Sequence, residues 1–330
     1  MSTLLSVLGH VLPAVGLMLL NGVVLIYMLR KVLGHLHLRL GPMENGWHGV
    51  TQTIFDVLKL LTKEDPTPRA VDRALYFLAP VIVFVPSLVA YAALPFSNTL
   101  VMADLELGLL FTFAFTSLIP LGVLAAGWSS NNKWSLLGGM RAVGAQVTYE
   151  VPMLLAALPV VMMAGSINLG DIVRAQQPLW FIYNVPAFLL FFIAGLIESG
   201  QTPFDLAEAD SELVSGYATE YASMKFGLLF LSEFSNLFIF AAMLVTLFLG
   251  GWGIPFVPEA VMQPIAPVVF MIKTYLVIYL LMVIRGTLPR VRVDQLLTIG
   301  WKFLLPASIA WVMVTGLVIK LGQTVFGGPR

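Results

Sequence analysis

Residues 226–249 read FGLLFLSEFSNLFIFAAMLVTLFL, a stretch that is apolar almost throughout and contains one ionisable residue, Glu233. About 20 consecutive apolar residues are enough to cross the hydrocarbon core of a bilayer as a helix. Within a membrane, only helices and closed barrels satisfy every backbone hydrogen bond, and runs of this length indicate helices. The stretch therefore predicts a transmembrane helix. Because a charge in hydrocarbon costs at least a few kcal/mol, Glu233 is expected to face protein or water.

The same composition extends over the whole chain of 330 residues, which is 58% hydrophobic and only 11% charged. A soluble domain carries roughly 25% charged residues. We therefore expect an all-α polytopic membrane protein with about eight transmembrane helices. The first is a retained helix rather than a cleaved signal peptide, and residues 1–330 form a single membrane domain without internal repeats. The predicted spans are Leu4–Leu29, Ala74–Phe96, Leu105–Gly127, Ala142–Ala164, Leu179–Ile197, Phe226–Leu249, Pro264–Ile284 and Gly300–Ile319.

The basic residues are distributed unevenly between the loops that connect these spans. Of 18 lysines and arginines, only Arg174, Lys320 and Arg330 fall on one side, and Lys273 falls inside a span. The others lie in the connections after spans 1, 3, 5 and 7. Because cytoplasmic loops carry the excess of Lys and Arg, those loops are predicted to be cytoplasmic. The chain is then a multi-pass protein of the cell inner (plasma) membrane with both termini on the outer, periplasmic side.

The first cytoplasmic loop contains a further helical pattern. Apolar residues recur at helical spacing on one face: Trp47, Val50, Ile54, Leu58 and Leu61. Polar residues recur on the opposite face: Gln52, Asp56, Lys59 and Lys63. The pattern predicts an amphipathic interface helix. Two roles are equally compatible with it, anchoring at the membrane surface and lining of a cavity.

Four ionisable residues fall within or at the end of predicted spans: Glu150, Glu198, Glu233 and Lys273. Such residues normally face the bundle interior or a water-filled cavity. The alternative is a set of isolated pairs that hold helices together. Several such groups in one chain favour a polar pathway.

The densest acidic cluster lies in residues 202–212, TPFDLAEADSE. On a helix, Asp205, Glu208 and Glu212 would share one face, where like charges oppose full ionisation. Alternatively, Asp205 caps a helix and Glu208 completes a capping box. Capping leaves Asp210 and Glu212 unexplained, as it does Glu220 further along the chain, so a functional role is favoured.

Several kinds of site are disfavoured. With no cysteine, the chain has no disulfide, no thiolate metal site and no iron–sulfur cluster of its own. The four histidines all lie near the N-terminus, which disfavours an intramembrane bis-histidine haem. No metal signature or phosphate loop is present. A net charge of zero without a basic run makes nucleic acid an unsuitable partner.

Several motifs together resemble a known family. They are GWSSNNKWSLLG at 127–138, YEVP at 149–152, TPFDLAE at 202–208, SELVSGY at 211–217, TEY at 219–221 and RGTLPRVRVDQ at 285–295. In content and order they resemble segments of the H subunit of bacterial complex I, the NADH-quinone oxidoreductase, which is equivalent to mitochondrial NADH dehydrogenase subunit 1. The resemblance covers nearly the whole chain.

The resemblance implies a membrane subunit of a proton-translocating enzyme, with no redox centre of its own. Such a subunit forms the membrane side of the quinone tunnel and the start of the relay that links quinone reduction to proton translocation. At matching positions, the quinone site would include Arg39, Asp56, Arg285, Arg290, Arg292 and Asp294. The proton or charge relay would include Glu150, Glu198, Asp205, Glu208, Asp210, Glu212, Glu220 and Glu233.

The resemblance also implies the molecules that this chain contacts. Quinone is the substrate, and no cofactor, haem, iron–sulfur cluster or metal belongs to this chain. The expected protein partners are the peripheral-arm iron–sulfur and quinone-site subunits and the small membrane subunits next to the antiporter-like chains. Lipid is expected around the helices, and nucleic acid is not. The alternatives are the same subunit in a ferredoxin- or F420-dependent relative and, less favoured without an inverted repeat, a stand-alone cation/proton antiporter.

The chain departs from the family pattern at two places. Gly200-Gln201 stands where many members have Asn-Arg, so the nearby acids are expected to be less neutralised. Residues 43–48, MENGWH, also differ from the usual pattern of the first loop, which could alter quinone preference or the peripheral docking surface.

Overall fold

A computed structural model describes residues 2–98, 100–177, 179–207, 210–257 and 262–326. Helices dominate this part of the chain, and its one strand-like pairing is a bridge between Pro95 and Val101. The helices are α1 (Ser2–Leu36), α2 (Gln52–Thr62), α3 (Arg73–Ala92), α4 (Gly108–Thr116), α5 (Ile119–Ser129), α6 (Lys133–Ala164), α7 (Leu169–Ala175), α8 (Val185–Glu198), α9 (Asp210–Leu213), α10 (Ser223–Phe248), α11 (Ala266–Thr287), α12 (Val293–Ile299) and α13 (Leu305–Phe326). The predicted all-α architecture is confirmed.

Within the described residues, 7 spans are long and apolar enough to cross a membrane. Helices α4 and α5 together make one of them, and α12 continues through a π-helical turn into α13 to make another. The fifth predicted span is the exception. Helix α8 has 14 residues, or about 21 Å at 1.5 Å per residue. It is therefore shorter than the hydrocarbon core, which is about 30 Å thick.

Helix boundaries differ from the predicted span boundaries where a helix continues beyond the apolar run. Helix α6 begins at Lys133, well before the predicted Ala142, because the Asn132 side chain caps it by accepting a hydrogen bond from the Trp134 N–H at 3.0 Å. Arg141 consequently lies on a helix rather than in a loop. Hydropathy detects the apolar part of a helix but not the polar turns that extend from it.

Helix α10, which contains the apolar stretch 226–249, lies at the centre of the bundle. Every residue from 234 to 248 is buried, as expected for a helix that is apolar on all sides. Phe238 stacks on Tyr91 of α3 at 5.1 Å, and Phe240 stacks on Phe191 of α8 at 5.8 Å. Helix α10 is therefore the most buried of the long helices, and it packs against α3, α8 and α11.

Gly195 permits the closest approach between α8 and α10. A Cβ atom at this position would lie 1.8 Å from Cε2 of Phe240. No side chain fits there without displacing the Phe240 ring, so the glycine fixes the distance between the two helices at their crossing.

The loops after spans 1, 3, 5 and 7 meet at one end of the bundle, which we call the basic end. The Asn131 side chain donates to the Ala70 carbonyl at 3.0 Å, and Lys225 pairs with Asp65 at 2.9 Å. The basic end comprises residues 37–72, 130–132, 199–207, 210–222 and 288–292. The assignment of this end to the cytoplasm, with the remaining loops on the other side, stays a prediction.

Lys273 has a structural role at the opposite end. Its Nζ donates to three backbone carbonyls just after α10, those of Leu249 at 2.8 Å, Gly251 at 2.9 Å and Gly253 at 2.6 Å. It also lies 4.3 Å from the centre of the Trp180 ring. Cations stabilise the C-terminal end of a helix, where carbonyl groups lack partners. Of the two interpretations of this residue, the structure supports the one in which it holds helices together.

Gly195→Ala should destabilise the protein by about 1–3 kcal/mol, because the added methyl group overpacks the crossing of α8 and α10. Gly144→Ala is the matched control, since a Cβ there meets nothing within 4 Å. It should be neutral or slightly stabilising. The measurement is the unfolding midpoint in detergent, and equal midpoints for the two variants would contradict the packing argument.

Candidate functional site

A cavity of about 60 Å³, lined by both polar and apolar side chains, lies within the bundle next to the basic end. At roughly 15 Å³ for one water molecule, it has room for about four. Apolar side chains such as Val83 and Leu229 form part of its wall. Its polar lining includes Gln146, Glu198, Asp205, Ser232, Glu233 and Asn236. Three predicted relay acids therefore share one cavity.

Glu198 is the most deeply buried of these acids. It is the last residue of α8 and only 4% exposed, and its Oε2 is buried without a hydrogen-bond partner among the described residues. Its backbone carbonyl accepts from Gln146 at 3.5 Å and from Asn236 at 3.3 Å. A buried polar atom without a partner costs about 1–3 kcal/mol. The fold keeps this carboxyl group despite that cost, which points to a functional role.

Glu198 and Asn236 also line a second cavity, of about 20 Å³. Its other walls come from α4, α6, α8 and α10 and include Thr112, Met153 and Phe240. The two residues thus stand between a polar cavity near the basic end and a smaller, mostly apolar one deeper in the bundle.

Glu233 is held by a glutamine. Gln201 is 2% exposed, and its Nε2 donates to Oε1 of Glu233 at 3.0 Å. Its Oε1 accepts from Nη1 of Arg285, in the last turn of α11. The amide therefore bridges a guanidinium and a carboxyl group. Because residue 201 is a neutral glutamine, it donates to the Glu233 carboxyl group from an amide and not from a charged group.

Asp205 pairs with Arg290 of the seventh loop at 3.4 Å. The two loops are also joined through their backbones, since the Val291 N–H donates to the Pro203 carbonyl at 2.9 Å. Residues 199–207 are not helical, and the only α-helix that follows before α10 in the described part is the single turn of α9. The prediction that Asp205 and Glu212 share a helical face is therefore wrong, as is the capping interpretation of Asp205.

Two predicted relay residues cannot be placed in the site. Glu208 lies outside the described residues. Asp210 is the first residue of α9, and its side chain lies outside the described part.

Glu212 and Glu220 make contacts at the surface of the basic end. Arg141 pairs with Glu212 at 2.5 Å, and this guanidinium lowers the pKa of the exposed Glu212 carboxyl group. Glu220 accepts from the Asn132 side chain at 2.8 Å, and its carbonyl accepts from the Tyr76 hydroxyl at 2.8 Å. Neither acid belongs to the cavity lining. Both tie the fifth loop to neighbouring helices.

The aromatic residue after Glu220 strengthens this attachment. Tyr221 stacks on Tyr76 at 4.4 Å, and its hydroxyl lies 3.2 Å from that of Ser129. Burial raises the pKa of Tyr221 to about 12, so it is neutral at physiological pH.

Glu150 lies apart from the cavity. It is half-buried in α6, close to the Ser117 hydroxyl between α4 and α5. Gln146, one turn earlier on α6, lines the cavity in its place.

The predicted quinone residues separate into two groups. Arg285 and Arg290 face the relay residues, as described above, whereas Arg39, Arg292 and Asp294 are exposed. Asp56 is fixed on α2, where it pairs with Arg30 at 2.5 Å and accepts from Gln52 at 3.1 Å.

Helix α2 is the predicted amphipathic helix, although Trp47 lies before it in a separate turn. Its C-terminal end is tied to α10, because the Ser223 hydroxyl donates to the carbonyls of Leu60 and Lys63 at 2.9 and 3.0 Å. Much of its apolar surface stays open, with about half of each side chain exposed: Ile54, Phe55, Leu58 and Leu61. Among the described residues, no group of three acidic or histidine side chains is placed to hold a metal ion.

Comparison with known proteins agrees with these features. The chain matches the NADH dehydrogenase family over residues 10–316. It belongs to this family. The H subunit of NADH-quinone oxidoreductase from Geobacillus thermodenitrificans is 48% identical over 295 residues, 88% of each chain. The corresponding protein from Carboxydothermus hydrogenoformans is 46% identical over 327 residues, 98% of this chain and 90% of the relative.

Membership of the NADH dehydrogenase family confirms the resemblance seen in the motifs. The chain is a membrane subunit of complex I, the H⁺-translocating NADH-quinone oxidoreductase, and other complex I subunits are its partners.

Sequence reasoning did not single out two polar residues of the cavity, Ser232 and Asn236. They flank Glu233 on α10, and Asn236 lies three residues after it, so the polar side chains fall on one side of the helix. Polar residues at this spacing inside an otherwise apolar helix were the signal that could have identified them.

The Arg141–Glu212 pair should stabilise the protein in a pH-dependent way. Because the folded pKa of Glu212 is lowered, its contribution is present above the ordinary carboxyl value of about 4.3 and is lost as pH falls through the lowered value. Unfolding midpoints of the parent and Glu212→Gln should differ at pH 6 and converge in acid. Arg141→Gln should remove the same pH-dependent part. A difference that is constant with pH would contradict the assignment.

Proposed function

We propose that this chain forms the membrane side of the quinone-binding tunnel and the first part of the relay that couples quinone reduction to proton translocation. One observation carries the proposal: the acids of the buried cavity are connected to the arginines of the quinone set. Asp205 pairs with Arg290, and Glu233 is bridged to Arg285.

The first step is entry of quinone along α2. The open apolar side chains of this helix offer a surface for an isoprenoid tail, whose every buried CH₂ contributes about 0.8 kcal/mol. The tethers from Asp56 to Arg30 and from Ser223 to the end of α2 hold that surface against the bundle. The head group then lies at the basic end, where the peripheral subunits dock and supply two electrons.

The second step is the response of the acids. At an effective dielectric constant near 20, one charge about 8 Å away changes the energy of a neighbouring ionised group by roughly 2 kcal/mol. That is about 1.5 pKa units, enough to move a proton on or off a carboxyl group. Negative charge on the reduced quinone would act first on Arg285 and Arg290. Through the contacts of these arginines it would then act on Glu233 and Asp205.

The third step is transfer inward. Glu233 and Asp205 line the larger cavity, whose volume admits several water molecules as proton carriers. Glu198 lines both cavities and has a buried oxygen free to accept a proton. These features support the proposal that Glu198 is the exit from the larger cavity towards the interior of the membrane arm. In this proposal the basic end faces the cytoplasm of a cell with the complex in its inner membrane.

Glu198→Gln should abolish quinone-coupled proton translocation, because the amide keeps the shape of the side chain but cannot exchange a proton. The measurement is proton uptake or release per NADH oxidised by the assembled complex in vesicles. Glu106→Gln, an exposed glutamate at the opposite end, is the control and should leave the ratio unchanged. Normal proton translocation in Glu198→Gln would contradict the proposed relay.

Leu58→Ala should raise KM about three- to tenfold for a long-tailed quinone, because it removes methyl groups from the open face of α2. It should have a much smaller effect on a quinone with a short tail, and little effect on kcat. Lys59→Ala, also exposed on α2, serves as the control. An equal change in KM for both quinones would count against tail binding on this helix.

A further inference from the structure

Gln201 occupies the point where the two sets of predicted residues meet. It follows α8 by three residues and is buried between α10 and α11. Arg285 belongs to the quinone set and Glu233 to the relay, and the Gln201 side chain hydrogen-bonds to both. Arg290 and Asp205 also join the two sets, as a direct ion pair. The Gln201 contact is different because a neutral group lies between the charges.

The chemistry of its neighbours fixes the direction in which the amide points. A guanidinium group has only donors, so it must face the amide oxygen. The amide nitrogen then faces Glu233 and donates to its Oε1 at 3.0 Å. The amide nitrogen also donates to the Ser199 carbonyl at 3.5 Å, so turning the amide over would oppose donor to donor at Arg285 and lose all three contacts. Arg285 therefore orients the donor that Glu233 receives, and a donated hydrogen bond favours the ionised form of a carboxyl group.

We propose that Gln201 is a positioning residue that transmits a change at Arg285 to the carboxyl group of Glu233. This inference rests on the proposed function above. When negative charge develops on the quinone head group, the Arg285 guanidinium is drawn to it and leaves the amide oxygen. Of its orienting contacts the amide then keeps the long one from Nε2 to the Ser199 carbonyl at 3.5 Å, so it can turn towards Ser199, and Glu233 loses the hydrogen bond from that amide. The Glu233 carboxylate then accepts a proton from the cavity, and no covalent bond between heavy atoms changes.

A glutamine performs this task differently from an arginine. A guanidinium at position 201 would hold Glu233 by its own charge, whatever happened at Arg285. An amide has no net charge, and its hold on Glu233 depends on its orientation. With glutamine at position 201, the protonation of the Glu233 carboxyl group therefore depends on the position of Arg285.

The first test compares the parent complex with Gln201→Met, which matches the side chain in length but has no amide. Turnover of NADH with quinone by the intact complex should fall about tenfold, as expected for loss of hydrogen bonds to charged groups. Its pH profile should also move relative to the parent, because the Glu233 carboxyl group no longer receives the hydrogen bond from the amide. Gln201→Asn, which keeps the amide on a shorter side chain, should shift the profile in the same direction. A fall in turnover with an unmoved profile in both variants would overturn the inference, since a purely structural role predicts that result.

The second test asks whether Arg285 acts through Gln201. Arg285→Met should move the pH profile by the same amount as Gln201→Met. The double variant should move it no further, because both changes interrupt the same chain of hydrogen bonds from Arg285 to Glu233. Shifts that add in the double variant would show independent effects and overturn the inference.

Glu233→Gln separates failure of this inference from failure of the proposed function. Normal proton translocation in Glu233→Gln would remove Glu233 from the relay and overturn both. A second result would overturn only the role of Gln201 and leave the relay in place. In that result, Glu233→Gln loses proton translocation while Gln201→Met keeps the turnover and pH profile of the parent.

Discussion

A carboxyl group inside an apolar helix bundle needs hydrogen bonds or water, and the architecture is arranged around that requirement at Glu198 and Glu233. Glu233 lies on α10 just before the segment that is buried on all sides. An amide donor reaches it from Gln201, on a chain segment that enters the bundle after α8. The cavity that Glu198 and Glu233 share follows from the same arrangement, because that segment and α10 both contribute to its wall.

The acids of the fifth loop fall into two groups, one at the surface of the basic end and one facing the cavity. Glu212 and Glu220 lie at the surface, paired with Arg141 and Asn132, and hold the fifth loop against α6. Asp205 faces inward and lines the cavity. Surface pairs contribute little energy individually, but several of them fix where the loop enters the bundle. The outer acids therefore position the inner part of the loop, which lines the cavity.

The sequence predicted the features that depend on neighbouring residues and missed those that depend on contacts between residues far apart in the chain. Apolar length identified α10 and its neighbours because a crossing needs a fixed number of residues. Helical spacing placed Asp205 on a common face with Glu212, but the structure has no helix at residue 205. The partner of Asp205 is Arg290, 85 residues away in the chain, and no local pattern encodes that contact. The importance of Gln201 was visible only as a departure from the family, and its bridging role required the tertiary structure.

The short helix α8 explains why the cavity exists at all. At about 21 Å it ends before it crosses a hydrocarbon core of about 30 Å. The chain continues from it as the irregular segment that begins at Ser199. Irregular backbone at membrane depth is tolerated only where it is covered by protein or lines a polar cavity. Ser199, Gly200 and Asp205 do line the cavity, and Gln201 is buried beside it. Because α8 ends at Glu198, this segment rather than a further helical turn contributes to the cavity wall and brings the Gln201 amide to Glu233.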